Sequence, residues 1–145
     1  MKELDFTIKE AVNEPIKEYL HGSSEKASLK LKLDELKSTT FDIPIIINGK
    51  EVRTGNTEKC VMPHNHSHVL ATYHKAGEKE VDMAIENLLE TWKSWSNTPL
   101  EDRISIFHKM ADLLQGPYRD LINASTMLGQ SKNVFQAEID AACEL

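Results

Sequence analysis

The chain has 145 residues, long enough for one domain with a buried core, and its 40% hydrophobic and 28% charged residues place it among soluble globular proteins. A formal charge of −6, from 17 basic and 23 acidic side chains, gives no pointer to nucleic acid. The longest strongly apolar run, Ile43 to Ile47 with Pro44 inside it, is far too short to span a bilayer; no signal peptide or Arg-rich presequence is visible, and two cysteines do not make a disulfide framework, so a reducing compartment is expected.

The first segment, Met1 to Ser38, is polar and rich in Lys and Glu. Asn13-Glu14-Pro15 opens a short helical pattern through Ile16, Tyr19 and Leu20 that His21-Gly22-Ser23 ends. Ser23 or Ser24 then starts a second helix with Leu29, Leu33 and Leu36 along one side. Such an arm either covers one edge of the domain or wraps another surface.

A β region follows. Ile45-Ile46-Ile47 leads into Asn48-Gly49, the strongest short-range hairpin signal, and Glu51-Val52-Arg53-Thr54 returns. Cys60 to Pro63 and Val69 to Tyr73 read as further strands. Between them, His64, His66 and His68 at a spacing of two would share a strand face and could bind a metal. Pro63, Asn65 and Ser67 instead argue for a turn, with no Cys, Asp or Glu nearby to complete a ligand set, so an exposed histidine loop is expected and no metal site.

From Glu78 the period becomes helical. Val81, Ala84, Ile85, Leu88, Leu89, Trp92 and Trp95 form one apolar stripe, expected to be core. Thr98-Pro99-Leu100-Glu101 reads as a capping box with Pro at the first helical position, opening a helix with Ile104, Phe107, Met110, Ala111 and Leu114 that Gly116-Pro117 ends. Tyr118 to Leu128 gives another helix, closed by Gly129. Asn133 or Ser131 caps a last helix from Val134 to Leu145, with Glu138 and Asp140 early in it and Ala137, Ala141 and Glu144 on one stripe. No Gly, Asn or polar run terminates that helix, so the sequence reads as part of a longer polypeptide.

Catalytic motifs are sparse. There is no G-x-G-x-x-G after a strand, no Walker motif, and neither HExxH nor CxxC. A Ser-His-Asp set has no spacing to bring it together. Cys143, between Ala142 and Glu144 inside a helix, reads as a small packed side chain and not as a nucleophile. By pattern alone the chain is an α+β segment.

Specific stretches nevertheless carry a resemblance. Ile46-Ile-Asn-Gly-Lys-Glu-Val52, Trp92-Lys-Ser-Trp95 and Glu101-Asp-Arg103 resemble the amino-terminal part of the aldehyde dehydrogenase superfamily. Asn13-Glu14-Pro15, Gly22-Ser23, Pro63 with Asn65-His66 and His68, Ala111-Asp112 with Leu114, and Gly116-Pro117 resemble its Δ1-pyrroline-5-carboxylate dehydrogenase branch. Thr126-Met127, Gly129-Gln130, Lys132 and Gln136 to Ala142 with Glu144-Leu145 extend that similarity to the end.

The resemblance implies an α/β, aldehyde dehydrogenase-like fold, here its amino-terminal part: a helical arm over residues 1–40, then residues 41–145 as the start of the dehydrogenase domain, truncated within a helix. It implies NAD-dependent oxidation of L-glutamate γ-semialdehyde to glutamate by a homo-oligomer, in the mitochondrial matrix or otherwise the cytoplasm, with no membrane or nucleic-acid partner. In such enzymes a cysteine thiolate attacks the aldehyde, hydride passes to the nicotinamide, and a glutamate-activated water hydrolyses the thioester. The resemblance puts those groups, and the NAD site, beyond Leu145, so the chain alone is expected to be inactive and to bind no cofactor. Neither Cys60 nor Cys143 matches the nucleophile motif. Glu144 alone among these residues matches a substrate-binding position, where a carboxylate meets the substrate's α-amino group; on its own, a Glu near a helix end reads as solvent-exposed. The alternative is a short, non-catalytic binding module built on the same amino-terminal fold.

Overall fold

A computed structural model describes Val12 and residues 14–143, apart from the side chain of Cys143. Helix α1 (Ser24–Ser38) is followed by strands β1 (Phe41–Ile43), β2 (Ile45–Ile47), β3 (Lys50–Val52), β4 (Thr57–Met62) and β5 (Asn65–His74). Helices α2 (Glu78–Trp95), α3 (Leu100–Gln115), α4 (Arg119–Gln130) and α5 (Val134–Ala137) come next, and α5 runs on as a π-helix, Glu138–Cys143.

Helix α1 begins where a serine supplies an acceptor for an otherwise orphan donor: the Lys26 N–H donates to Ser23 Oγ at 3.4 Å. Leu29 and Leu36, seven residues apart and hence on one face, are buried, with Leu33 packed beside them. They meet Met62 of β4 and Ala124 and Leu128 of α4, and Tyr19 closes the cluster from ahead of α1. The arm therefore shares a core with the last long helix.

Asn48 and Gly49 both take positive φ, 52° and 69°, as the two-residue turn between β2 and β3 requires, and Ile45 pairs with Val52 and Ile47 with Lys50. Strand β5 is the centre of a second sheet, parallel to β1 on one side and antiparallel to β4 on the other. No helix of the described residues is long and apolar enough to cross a membrane.

Several local expectations are corrected. Residues 14–20 form no helix, and Tyr19 sits in the left-handed region at φ 53°. A helix would give the Pro15 carbonyl to the N–H of residue 19, but it accepts instead from Arg119 Nη2 at 2.9 Å. Thr98 does not cap α3: its hydroxyl donates back to the Ser94 carbonyl at 3.2 Å, and the helix starts behind Pro99 without a side-chain cap. Helix α4 runs past Gly129 to Gln130, and Ser131 supplies the left-handed stop at φ 58°, its Oγ 2.7 Å from His64 Nδ1.

The histidine stretch is not a loop. Only Pro63 and His64 form the turn, tight enough that Asn65 already pairs with Met62, and His66 and His68 lie within β5. His64 and His66 are exposed and His68 half-buried. No group of three His, Cys, Asp or Glu residues placed to hold a metal occurs among the described residues.

The Trp stripe is not covered by the described residues. No residue of α2 or α3 is buried, and Leu88, Trp92 and Phe107 are 68%, 63% and 65% exposed. Helix α2 turns Met83 and Asn87 towards Ile47 and Val52 of the hairpin and leaves Ile85, Leu89 and Trp92 open to water. Periodicity identifies the apolar face of a helix; whether a second layer covers it is a separate matter. Faces of this extent bind other apolar surfaces. The purified chain is expected to self-associate in sedimentation velocity and to enhance the fluorescence of a hydrophobic dye. Trp92→Ala should reduce both effects while changing the chain's own stability by less than about 0.5 kcal/mol in urea melts, as for an exposed side chain. A monodisperse monomer that binds no dye would contradict this.

Candidate functional site: a buried carboxylate beneath the last helix

The last helix opens on a reciprocal cap: the Gln136 N–H donates to Asn133 Oδ1 at 2.9 Å, and the Asn133 N–H donates to Gln136 Oε1 at 3.0 Å. Lys132 Nζ lies 3.0 Å from Asp140 Oδ2, tying the preceding loop to the π-helix. Ala137 is fully buried, and Ala141 and Ala142 are 9% and 3% exposed. Small side chains let this backbone press against its neighbours.

Between those alanines lies Glu138, 0% exposed and the first residue of the π-helix. Five donors converge on its carboxylate. The Lys17 N–H reaches Oε1 at 2.8 Å, where Arg119 Nη2 also donates. Tyr19 OH reaches Oε2 at 2.7 Å, Asn123 Nδ2 at 2.7 Å and Arg119 Nε at 3.3 Å. Asn123 Nδ2 is also 3.0 Å from the Tyr19 hydroxyl oxygen. Arg119 and Asn123 are four residues apart, so α4 presents both on one face. The left-handed turn at Tyr19 brings the arm's contribution to the same point.

Burial by itself would raise the carboxyl's pKa. The hydrogen bonds from Arg119, Tyr19, the Lys17 N–H and Asn123 outweigh it and hold the group at about 2, against 4.5 in water. Tyr19 moves the other way: burial, then its hydrogen bond to Glu138 and the charge there, push the phenol above its usual 10.0. A carboxylate this acidic and this fully engaged is a poor proton acceptor. Its role is to hold structure in place.

Sequence reading passed over this cluster. Glu138 reads from the sequence as one of two acidic residues early in a helix, and Arg119 and Asn123 carry no motif that singles them out. The available signal was the spacing of Arg119 and Asn123 in a helix that also carries Ala124 and Leu128, together with a Glu beside the buried position of Ala137. The residue singled out for substrate, Glu144, lies outside the described residues, directly after the π-helix in sequence. Cys60 is a half-buried free thiol, and the side chain of Cys143 lies outside the description.

The β5–α2 turn, a strand leading through Gly77 into a helix, allows a test against a dinucleotide. Glu80 accepts the Gly77 N–H at 2.8 Å, and Glu78 and Glu80 both sit in the first turn of α2. A pyrophosphate there would meet two carboxylates and an occupied donor. The turn does not fit one.

Comparison with known proteins agrees with this architecture. Residues 51–145 match the aldehyde dehydrogenase family. The chain belongs to that family. It is 47% identical, over 97% of its length, to the Δ1-pyrroline-5-carboxylate dehydrogenase of Agaricus bisporus, and covers 26% of that protein. To the human mitochondrial Δ1-pyrroline-5-carboxylate dehydrogenase it is 43% identical over 92% of its length, covering 24% of that protein. The crystal structure of the Mycobacterium tuberculosis Δ1-pyrroline-5-carboxylate dehydrogenase bound with NAD superposes with a TM-score of 0.94 at 36% identity, over 98% of this chain and 27% of that one. The chain thus spans about a quarter of the length of the relatives it matches. The α/β, aldehyde dehydrogenase-like fold expected from resemblance is the fold observed.

The carboxylate cluster makes stability pH-dependent. A group whose native pKa lies below its unfolded one stabilises the fold above the unfolded value and loses that contribution as pH falls through the native value. Glu138 therefore supports the fold near neutrality, and its contribution fades as pH drops from 4.5 to about 2. Glu138→Gln leaves Arg119 buried without its counter-charge and should cost about 3–5 kcal/mol at pH 7. Tyr19→Phe should cost about 1 kcal/mol. Urea melts from pH 7 to about pH 2 should show the wild-type advantage over Glu138→Gln shrinking towards zero; an advantage independent of pH would exclude the ion pair as its source.

Proposed function

We propose that this chain forms the substrate-recognition edge of an NAD-dependent dehydrogenase that oxidises L-glutamate γ-semialdehyde to L-glutamate. The observation that carries the reading is the close similarity, along nearly the whole chain, to Δ1-pyrroline-5-carboxylate dehydrogenases. The rigid base under the last helix supports it, because recognition of a small charged substrate needs a side chain held in one place. We assign Glu144 to the substrate's α-amino group, on the strength of its resemblance to that position in the family. An ammonium entering a partly dry pocket needs an acceptor of opposite charge, and a carboxylate supplies both. No chemical step is assigned to the described residues, since Glu138 is too acidic and too engaged to move a proton and the Gly77 turn repels a pyrophosphate. In the complete enzyme we place NAD on residues outside this chain, in a homo-oligomer of the mitochondrial matrix or the cytoplasm.

Two measurements test the reading. The chain alone should form no NADH from the aldehyde and should not bind NAD; turnover by the purified chain would overturn it. In a full-length enzyme carrying this segment, Glu144→Ala should cost about 1.5–3 kcal/mol in kcat/KM for glutamate semialdehyde and much less for a simple aliphatic aldehyde, which has no amino group. Glu144→Gln should be milder. Equal losses on both aldehydes, or none on either, would remove Glu144 from the substrate site.

A further inference from the structure

We infer that Glu138 is a positioning residue for substrate recognition: gripped by Tyr19, Arg119 and Asn123, it sets the π-helix that leads to Glu144. The inference rests on the proposed reading of Glu144 and extends it to residues that touch no substrate.

Three observations carry it. The last helix starts as an ordinary α-helix with a reciprocal cap, and its hydrogen-bonding pattern widens to π where Glu138 enters. A π segment is intrinsically poorer than α and persists where surrounding contacts impose it, often beside functional positions. The contact on offer here is the grip on residue 138. The buried set is also broad: Ala137 and Glu138, then Ala141 and Ala142, all face inward. Two adjacent inward residues on each of two successive turns fix the rotation of the π-helix about its axis. Finally, the grip is made by distant parts of the chain. Lys17 N and Tyr19 OH are 121 and 119 residues away in sequence, and Arg119 is 19 away. The arm thereby becomes part of the recognition apparatus. Burial of a charge among five donors is more than packing alone would require, since an apolar side chain of similar volume fills such a space without an ion pair.

The test uses the full-length enzyme carrying this segment, with glutamate semialdehyde, an aliphatic aldehyde and the product L-glutamate as probes. Glu138→Gln should lower kcat/KM for the semialdehyde roughly tenfold to a hundredfold while lowering that for the aliphatic aldehyde about threefold or less, the pattern of a displaced recognition group. Calorimetric affinity for L-glutamate should fall in parallel, with NAD affinity unchanged. The double variant Glu138→Gln/Glu144→Ala should discriminate between the aldehydes no worse than Glu144→Ala alone, because one residue acts through the other. If Glu138→Gln does not fold, Tyr19→Phe, which removes one donor, decides in its place, with a loss of about threefold to tenfold confined to the amino-bearing substrate. Equal losses on both aldehydes, or effects that multiply in the double variant, overturn the positioning role. If Glu144→Ala discriminates while neither Glu138→Gln nor Tyr19→Phe does, the positioning role falls and the Glu144 reading stands. If Glu144→Ala itself does not discriminate, the Glu144 reading fails and takes this inference with it.

Discussion

One ion pair holds the described chain together at its ends. Arg119 and Glu138 are 4% and 0% exposed, and a charge so far from water survives only when its partners replace the lost hydration. Here they do, with side chains from α4, a hydroxyl from the arm and a backbone N–H. The arrangement explains features that otherwise look unfavourable. Tyr19 accepts a left-handed backbone, Pro15 gives its carbonyl to a guanidinium, and residues 14–20 forgo helix, all in a segment whose apolar pattern suggests one. Breaking a helix of one or two turns costs little, because so short a helix is barely stable in water. A buried carboxylate left short of donors would cost far more.

The molecule is uneven as a result. On one side α1, α4, the arm and the last helix share a core with Met62 and enclose the polar cluster. On the other, α2 and α3 carry apolar faces that no described residue buries. The difference follows from side-chain supply. Leu29 and Leu36 of α1 meet Ala124 and Leu128 of α4, whereas the β2–β3 hairpin lies against α2 near Met83 and Asn87 and leaves the rest of its apolar face open. A chain that spans a quarter of its relatives' length is placed to have its remaining faces met by other parts of the protein.

What the sequence made legible was local, and each case had a local cause. Asn48-Gly49 specifies its turn because two successive residues must take positive φ, and few pairs do so easily. Ser23 and Asn133 cap because a short oxygen-bearing side chain next to a helix start has little else to bond. Thr98 was misread because it did have something else: the end of α2 offered the Ser94 carbonyl. Gly129 was misread because glycine permits a helix stop without demanding one, and Ser131, fastened to His64, supplied it two residues on. Glu138 could not be read locally. Its meaning depends on Tyr19 and Arg119, and no period or motif links residues 19, 119 and 138.

That failure says what kind of site this is. A catalytic group announces itself by a perturbed proton affinity near neutrality and by an open lone pair. Glu138 has the opposite signature, with its pKa driven to about 2 and donors on both oxygens. Such a residue can matter to chemistry only through geometry, by fixing the backbone from which another side chain projects. The π-helix makes geometry the deciding quantity, because a change from α to π hydrogen bonding rotates every later residue about the helix axis. On the proposed reading of Glu144, substrate selection by a single carboxylate is sensitive to that rotation. A misplacement of about an ångström can cost about a hundredfold in rate, which approaches the loss of the contact itself. On the proposed reading, Glu144 and the buried Glu138 are two ends of one lever, with its fulcrum in the pair Arg119–Glu138.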